Sequence, residues 1–247
     1  DRMGVKPLFY SMTKSGFVFA SEIKALLEHS EIEPVIDTRS LAEIMIIGPG
    51  RTPGCGVFKG ISEIRPAHYA YYDETGLTIH RYWNVEAHEH SDSFEQTTEK
   101  VRYLVTDSIK RQLVSDVPLC TFLSGGLDSS LISSVTNGEF KKSGEVLHTF
   151  SVDYKDNEKY FKKSKFQPNS DPEFIRIMEK YLGGVHHRIV IDTDELVNAL
   201  YCAVDARDLP GMADVDASML LLCKAIKEFG TVALSGECAD EIFGGYP

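Results

Sequence analysis

The sequence predicts a mixed α/β chain built in two parts, and three observations carry that prediction. Strand-like and helix-like segments alternate from about residue 117 to the end, the pattern of a parallel sheet with helices on both faces. Before residue 85, short aromatic and β-branched runs dominate, with only a few helical stretches. Between them lies Glu86-Ala87-His88-Glu89-His90-Ser91-Asp92-Ser93, which is polar and without periodicity and reads as a linker. The length of 247 residues allows about 1.6 domains at roughly 150 residues each. Hydrophobic residues at 43% and charged residues at 26% exclude a disordered, collagenous or coiled-coil chain.

The elements follow in order. Val5 to Met12 and Gly16 to Ala20 are strand candidates around a Thr13-Lys14-Ser15 turn. Ser21 to Leu27 opens like a capped helix, and Thr38 to Ile46 is a second helix ended by Gly48-Pro49-Gly50. Ala67 to Tyr72 and Leu77 to Tyr82 flank Asp73-Glu74-Thr75-Gly76 as a hairpin. Phe94, Val101, Leu104, Val105, Ile109 and Leu113 recur at helical spacing. Strands are expected at Val117 to Leu123, Val146 to Val152, His187 to Ile191 and Thr231 to Leu234. Helices are expected at Asp128 to Val135, Pro172 to Leu182, Asp194 to Val204 and Ala217 to Phe229. Asn157 to Asp171 reads as a basic, mobile loop.

Charge and cysteine usage narrow the partners. A net charge of -11 repels phosphate backbones, so nucleic acid is not an expected partner. No apolar run approaches the ~18 residues of a membrane span, and no membrane partner is expected. Cys55, Cys120, Cys202, Cys223 and Cys238 are odd in number and lack a Cys-x-x-Cys, which argues against a disulfide framework and for a cytoplasmic setting. His88-x-His90 and His186-His187 have no further ligand at metal spacing.

The sharpest local feature is Leu123-Ser124-Gly125-Gly126-Leu127-Asp128-Ser129-Ser130, between an apolar strand and an apolar helix. Two glycines let main-chain N–H groups approach an anion, the helix start adds its dipole, and three serines offer hydroxyls. Asp128 would repel phosphate unless a divalent cation bridged them, which implies Mg²⁺. The Gly-Lys-[Ser/Thr] ending of a Walker loop is absent. A Ser/Gly turn with Asp as an ordinary helix cap is the competing account. A second cluster, Ser235-Gly236-Glu237-Cys238-Ala239-Asp240-Glu241-Ile242-Phe243-Gly244-Gly245-Tyr246, follows the last strand. Three carboxylates within five residues suit a metal or a base, or a solvated acidic helix start.

The first run is similar to the pyrophosphate loop of the ATP-pyrophosphatase superfamily. Together with Ser-Gly-Glu-x-Ala-Asp-Glu-x-Phe-Gly-Gly-Tyr it closely resembles glutamine-hydrolysing asparagine synthetases. Asp1 to Tyr10, Ser21 to Leu26, Phe58 to Ile61 and Tyr82-Trp83 resemble the later part of that family's glutaminase domain. The resemblance implies an α/β fold. Residues 93–247 would begin a doubly wound parallel sheet of the adenine nucleotide alpha hydrolase-like (PP-loop) type. Residues 1–92 would be the end of an α+β sandwich of the N-terminal-nucleophile kind.

Residue by residue, the resemblance gives Leu123, Ser124, Gly125, Gly126, Leu127, Asp128, Ser129, Ser130, Val152, Ser235 and Gly236 to ATP. It gives Asp128 and Asp240 to Mg²⁺, and Glu237 to general base catalysis. Val152 fits simple strand packing equally well. Ala206 to Asp214 is also a family-like segment, either touching the amino-acid substrate or forming a structured loop between helices. The implied reaction joins aspartate and ATP in a β-aspartyl-AMP, which glutamine-derived ammonia converts to asparagine. A homodimer is compatible with the sequence.

In that family the glutaminase nucleophile is a first-residue cysteine, and a lysine beyond the Ser-Gly-Glu motif stabilises the transition state. Residue 1 here is Asp and the chain stops at Pro247, so this piece alone is expected not to hydrolyse glutamine and to be impaired in synthesis. A β-lactam synthetase is the nearest alternative, but carries a tyrosine where Glu237 stands. A tRNA-modifying pyrophosphatase conflicts with the net charge. A noncatalytic nucleotide-binding module would have no need of Asp128, Glu237 and Asp240.

Overall fold

A computed structural model describes residues 1–160 and 171–245. The chain divides into two compact units, Asp1–His90 with Tyr201–Asp216, and Ser91–Leu200 with Ala217–Pro247.

In the first unit, β1 (Phe9–Thr13) and β2 (Gly16–Ala20) form a hairpin, and β3 (Ile61–Glu63) pairs antiparallel with β1 to give the order β2-β1-β3. The sequence places the first strand from Val5, but it starts at Phe9. Upstream, the Asp1 carboxylate accepts hydrogen bonds from the main-chain N–H groups of Met3, Gly4, Val5 and Lys6 and curls the chain. Helix α1 (Ile23–Leu27) presses Ile23 and Leu26 onto Phe9, Ile32 and Ile61. Burying each such side chain stabilises the fold by about 1.5–3 kcal/mol.

The second expected helix is split. Helix α2 (Thr38–Ala42) is capped by Asp37, whose carboxylate accepts from the Ser40 N–H at 2.9 Å, and continues as a π-helical turn, Glu43–Ile47. The expected hairpin is formed by β4 (His68–Asp73) and β5 (Gly76–Arg81). The Asp73 carboxylate accepts from the Thr75 N–H at 2.7 Å, and Gly76 adopts φ +113°.

The second unit opens with α3 (Phe94–Arg111), started by a reciprocal Ser93–Gln96 capping box. Only Ile109 of its apolar stripe is buried; Phe94 is 82% exposed and Leu104 54%. The predicted stripe is present from Phe94 to Ile109, with Leu113 beyond the helix end, and α3 packs on α4 near its C-terminal half, where Lys110 pairs with Glu139 at 2.9 Å.

Next come β6 (Leu119–Phe122), α4 (Leu127–Ser143), β7 (His148–Tyr154), α5 (Asn157–Tyr160), α6 (Asp171–Leu182) and β8 (Val185–Ile191). Helices α7 (Thr193–Arg207) and α8 (Ala213–Phe229), strand β9 (Val232–Leu234) and helix α9 (Ala239–Phe243) complete the chain. Of the loop expected over Asn157 to Asp171, residues 161–170 lie outside the described residues, and the first four residues form α5.

The four strands form one parallel sheet, ordered β8-β7-β6-β9. Strand alternation sorts its side chains to two faces. Cys120 and Phe150 meet Leu222 and Ile226 of α8 on one face. On the other, Thr121 bonds to Ser133 of α4 at 2.8 Å, and Leu123 packs on Ile175 and Leu182 of α6.

Strands β7 and β8 also carry a group of histidines. His148 Nδ1 and His187 Nε2 share a hydrogen bond at 2.9 Å, and the His148 ring stacks 4.1 Å from Phe229. Both ring nitrogens of His186 are engaged, by Thr149 Oγ1 at 2.8 Å and Ser151 Oγ at 3.0 Å. Burial lowers the pKa of His148, with the neighbouring His187 adding to the shift. Burial likewise lowers that of His186, against the opposing pull of Glu179.

A histidine held below its unfolded pKa binds fewer protons in the native state, so stability rises with pH. The contribution is complete above the ordinary histidine value and fades as pH falls through the lowered one. Urea unfolding midpoints are therefore expected to drop from pH 7.5 to pH 5.5, and to drop less in His148→Asn. A pH-independent midpoint would contradict this.

Candidate nucleotide site at the carboxyl edge of the parallel sheet

The strand order reverses beside β6. Strands β7 and β8 extend to one side and β9 lies on the other, so a crevice opens between the loops that follow β6 and β9. Parallel sheets bind ligands at such reversals. The register Thr121↔Leu234 brings both loops off the sheet at the same level.

The loop after β6 is built from inside. The Ser129 side chain is buried; its hydroxyl accepts from the Ser124 N–H at 3.2 Å, pairs with Ser124 Oγ at 3.0 Å and reaches the Gly126 carbonyl at 3.3 Å. The Gly126 N–H donates to Ser124 Oγ at 3.3 Å. Gly125 adopts φ +83°, and an added Cβ would stand 3.0 Å from both the Asp171 carbonyl oxygen and Phe174 Cβ. The loop is therefore pressed against the first turn of α6. Gly126 serves as the N-cap of α4 without any side-chain cap, which leaves the α4 N-terminus open for an anion.

The loop after β9 comes into direct contact with this one. An added Cβ on Gly236 would lie 2.9 Å from Asp128 Cβ and 3.1 Å from the Ser129 nitrogen. The Glu237 N–H donates to Ser235 Oγ at 3.2 Å, and Cys238, at φ +69°, turns the chain into α9. Glu237 is exposed, Asp128 and Asp240 are half-buried, and Tyr246 of this motif lies outside the described residues. The Glu237 charge reaches Cys223 on α8, whose thiol is pushed up first by burial and then by that carboxylate.

The other sequence-assigned positions divide by what they can offer. Leu123 is 0% exposed and its N–H donates to the Phe150 carbonyl at 2.8 Å, so only its own carbonyl is available. Leu127 is 82% exposed and Ser130 half-buried at the helix start. The Val152 side chain packs on the cluster around Phe150 and Leu222. Its main chain, by strand alternation, points the same way as the Phe150 carbonyl, toward the crevice that β6 has by then left.

Beside Val152 a cavity of about 220 Å³ opens between β7, β8 and α6, with Asp153, Ile175, Arg176 and Arg188 in its wall. Asp153 accepts from the Arg188 guanidinium and from Asn157 Nδ2. Burial pushes its carboxyl up, but these partners outweigh it and hold the group below its usual range.

Two features of the site were not read from the sequence. Ser129 holds the loop's shape with a hydroxyl already occupied, and the first turn of α6 braces Gly125. The glycine at position 125 is the one sequence signal for such a close approach, since a glycine is required where another backbone comes that near, and it does not name α6 as the neighbour.

Two known protein families match the chain. The family described as "Asparagine synthase" matches residues 100–247, and a glutamine amidotransferase domain family matches residues 1–83. Asparagine synthetase (glutamine-hydrolyzing) 3 of Bacillus subtilis (strain 168) is 56% identical over 100% of this chain and 40% of its own length. A putative asparagine synthetase 2 of Methanocaldococcus jannaschii is 29% identical over 100% of the chain and 46% of its own length. Asparagine synthetase 1 of Bacillus subtilis is 31% identical, again over the whole chain and over 37% of its own length. The chain thus spans two fifths or so of the curated relatives it matches.

Gly236→Ala is expected to destabilise the second unit by about 1–3 kcal/mol, because the new methyl meets main chain that cannot yield. Ser129→Ala is expected to cost about 1–3 kcal/mol, since it leaves the Ser124 N–H without its partner. Urea unfolding reads both, and a midpoint unchanged in either variant would contradict the packing described.

Proposed function

The chain belongs to the asparagine synthase family, and on that premise we propose that it supplies the ATP-handling part of an enzyme that makes asparagine from aspartate. Ammonia would come from glutamine hydrolysed by the amidotransferase-like part of a protein of the relatives' length. The observation that carries this reading is the seating of Gly236 on Asp128–Ser129, which joins both sequence motifs at one crevice. In finer terms, residues 93–247 form the start of a doubly wound sheet of the PP-loop type, and residues 1–92 the end of an N-terminal-nucleophile sandwich.

The chemistry has two steps. The side-chain carboxylate of aspartate attacks the α-phosphorus of ATP, pyrophosphate leaves, and a β-aspartyl-AMP anhydride forms. Ammonia then attacks the acyl carbon and AMP leaves. Main-chain N–H groups at the α4 N-terminus face the charge that gathers on the pyrophosphate, while those of Ser124 and Gly126 stay bonded within the loop and hold its shape. The open main chain of Val152, the Leu123 carbonyl and Ser235–Gly236 border the nucleotide. Glu237 takes a proton from ammonium, or from the attacking amine, at its exposed carboxylate.

Asp128 and Asp240 are hard oxygen donors with no ion pair among the described residues. Among the described residues no group of three or more His, Cys, Asp or Glu is assembled for a metal. That donor set fits Mg²⁺, which takes one or two carboxylates and completes its shell with water and substrate phosphate. When bound there, the ion would neutralise phosphate charge.

The homodimer reading leans on the exposed apolar run Leu41, Met45, Ile46 and Ile47, and light scattering would test it. The cytoplasmic reading leans on five free thiols.

Aspartate-stimulated, Mg²⁺-dependent exchange between ATP and pyrophosphate tests the first step in the full-length protein. Exchange lost in Asp128→Asn and in Asp240→Asn supports the reading; no exchange with any amino acid in the wild type would favour a noncatalytic binding module. Glu237→Gln is expected to lower ammonia-dependent asparagine formation about 10²–10⁴-fold while exchange persists.

A further inference from the structure

Helix α1 begins without a cap from its own sequence. Glu22 occupies the N-cap position and makes no side-chain cap hydrogen bond. The cap comes instead from the turn between α7 and α8. Asp208 Oδ2 accepts from the Ile23 N–H at 2.7 Å and the Lys24 N–H at 3.2 Å. Its Oδ1 lies 2.8 Å from Lys24 Nζ, and Lys24 Nζ also reaches the Ala206 carbonyl at 3.3 Å. The Asp208 side chain is only 7% exposed, although it carries a charge.

Several further contacts seat the same turn. Leu209 packs on the core formed by Phe9, Ile23, Leu26, Ile32 and Ile61. Arg207 donates to the Pro49 carbonyl at 3.3 Å and pairs with Asp216 at 2.6 Å. Asp216 in turn accepts from the Met212 N–H at 2.6 Å. Asp208 itself adopts φ +67°, a conformation that Asp and Asn tolerate and most residues do not. The Asp208 carboxylate strengthens the Lys24 charge, whose pKa is raised first by that hydrogen bond. A carboxylate on helix N–H groups is also favoured by the helix dipole.

Asp208 lies within the residues matched by the asparagine synthase family, whereas α1 lies within those matched by the amidotransferase family. Both belong to one compact unit. Along the chain, α8 leads from this turn to β9 and then to Ser235-Gly236-Glu237. We propose that Asp208 is a positioning residue that latches the amidotransferase-like α1 to the chain segment leading into the synthase site, and so keeps glutamine hydrolysis productive for amide transfer.

The proposal rests on the function given above, so the test has one arm that needs no activity. In the full-length protein, Asp208→Asn keeps the backbone conformation and removes the charge, and Asp208→Gly removes the side chain at a φ that glycine adopts freely. Hydrogen exchange at the Ile23 and Lys24 amides is expected to quicken about fivefold or more in Asp208→Gly, and less in Asp208→Asn. Unchanged exchange in both would overturn the latch, whatever the activity.

In the second arm, asparagine formed per glutamine hydrolysed is expected to fall severalfold in Asp208→Gly. Asparagine formation from added ammonia should stay within about twofold of wild type. A merely structural cap would speed exchange and leave that ratio unchanged, which would overturn the coupling role. Lys24→Met, which leaves the backbone cap in place, should shift the ratio in the same direction by less; a shift larger than that of Asp208→Gly would also overturn the assignment. A wild type that makes no asparagine even from ammonia would sink the functional reading, and the exchange arm would still decide the latch.

Discussion

The site depends on one close approach of main chain to main chain. Gly236 lies against Asp128 and Ser129 with no room for a methyl group between them. Each loop leaves its own strand, and the parallel register between β6 and β9 delivers both at one level. A side chain at position 236 would hold the loops apart. The acidic residues 237 and 240 would then be displaced from the helix start that carries Asp128. Sheet order, register and this single missing Cβ together decide that there is one crevice rather than two unrelated loops.

The loop after β6 is held from three directions by weak, neutral interactions. Ser129 ties its two limbs from within, Gly236 closes one side and the first turn of α6 closes the other. None of these is an ion pair. Preorganised N–H groups stabilise developing charge well because they need no rearrangement when it forms. Using hydroxyls to hold the shape leaves the charged residues at the rim, half-buried or exposed, where they can meet a ligand.

Much of this was legible in the sequence because the signals were local. The Ser-Gly-Gly-Leu-Asp-Ser-Ser run, the alternation of apolar segments and the Asp73-Glu74-Thr75-Gly76 turn each depend on neighbours a few residues away. The failures have two sources, local competition for main-chain groups and contacts between residues far apart in sequence. Val5 to Leu8 has strand-like residues, but the Asp1 carboxylate claims its N–H groups. The helical pattern through Ile46 is real, yet it winds into a π-turn after Ala42. The internal role of Ser129 and the cap on α1 are settled by three-dimensional proximity, which spacing along the chain does not encode. The stripe on α3 was found correctly, but amphipathicity states which face is apolar and not how much of it is covered.

The cap on α1 has a consequence for how the chain is made. Ile23 and Asp208 are separated by 185 positions. A ribosome adding about 5–20 residues per second supplies Asp208 roughly 10–40 s after Ile23. Until then the α1 N–H groups of Ile23 and Lys24 lack the carboxylate that caps them in the complete chain. The N-terminal unit is therefore contiguous in space but late in time. Its completion waits on a segment that is synthesised only after three of the four strands of the parallel sheet, β6, β7 and β8, which inverts the usual expectation that the earlier-made unit finishes first.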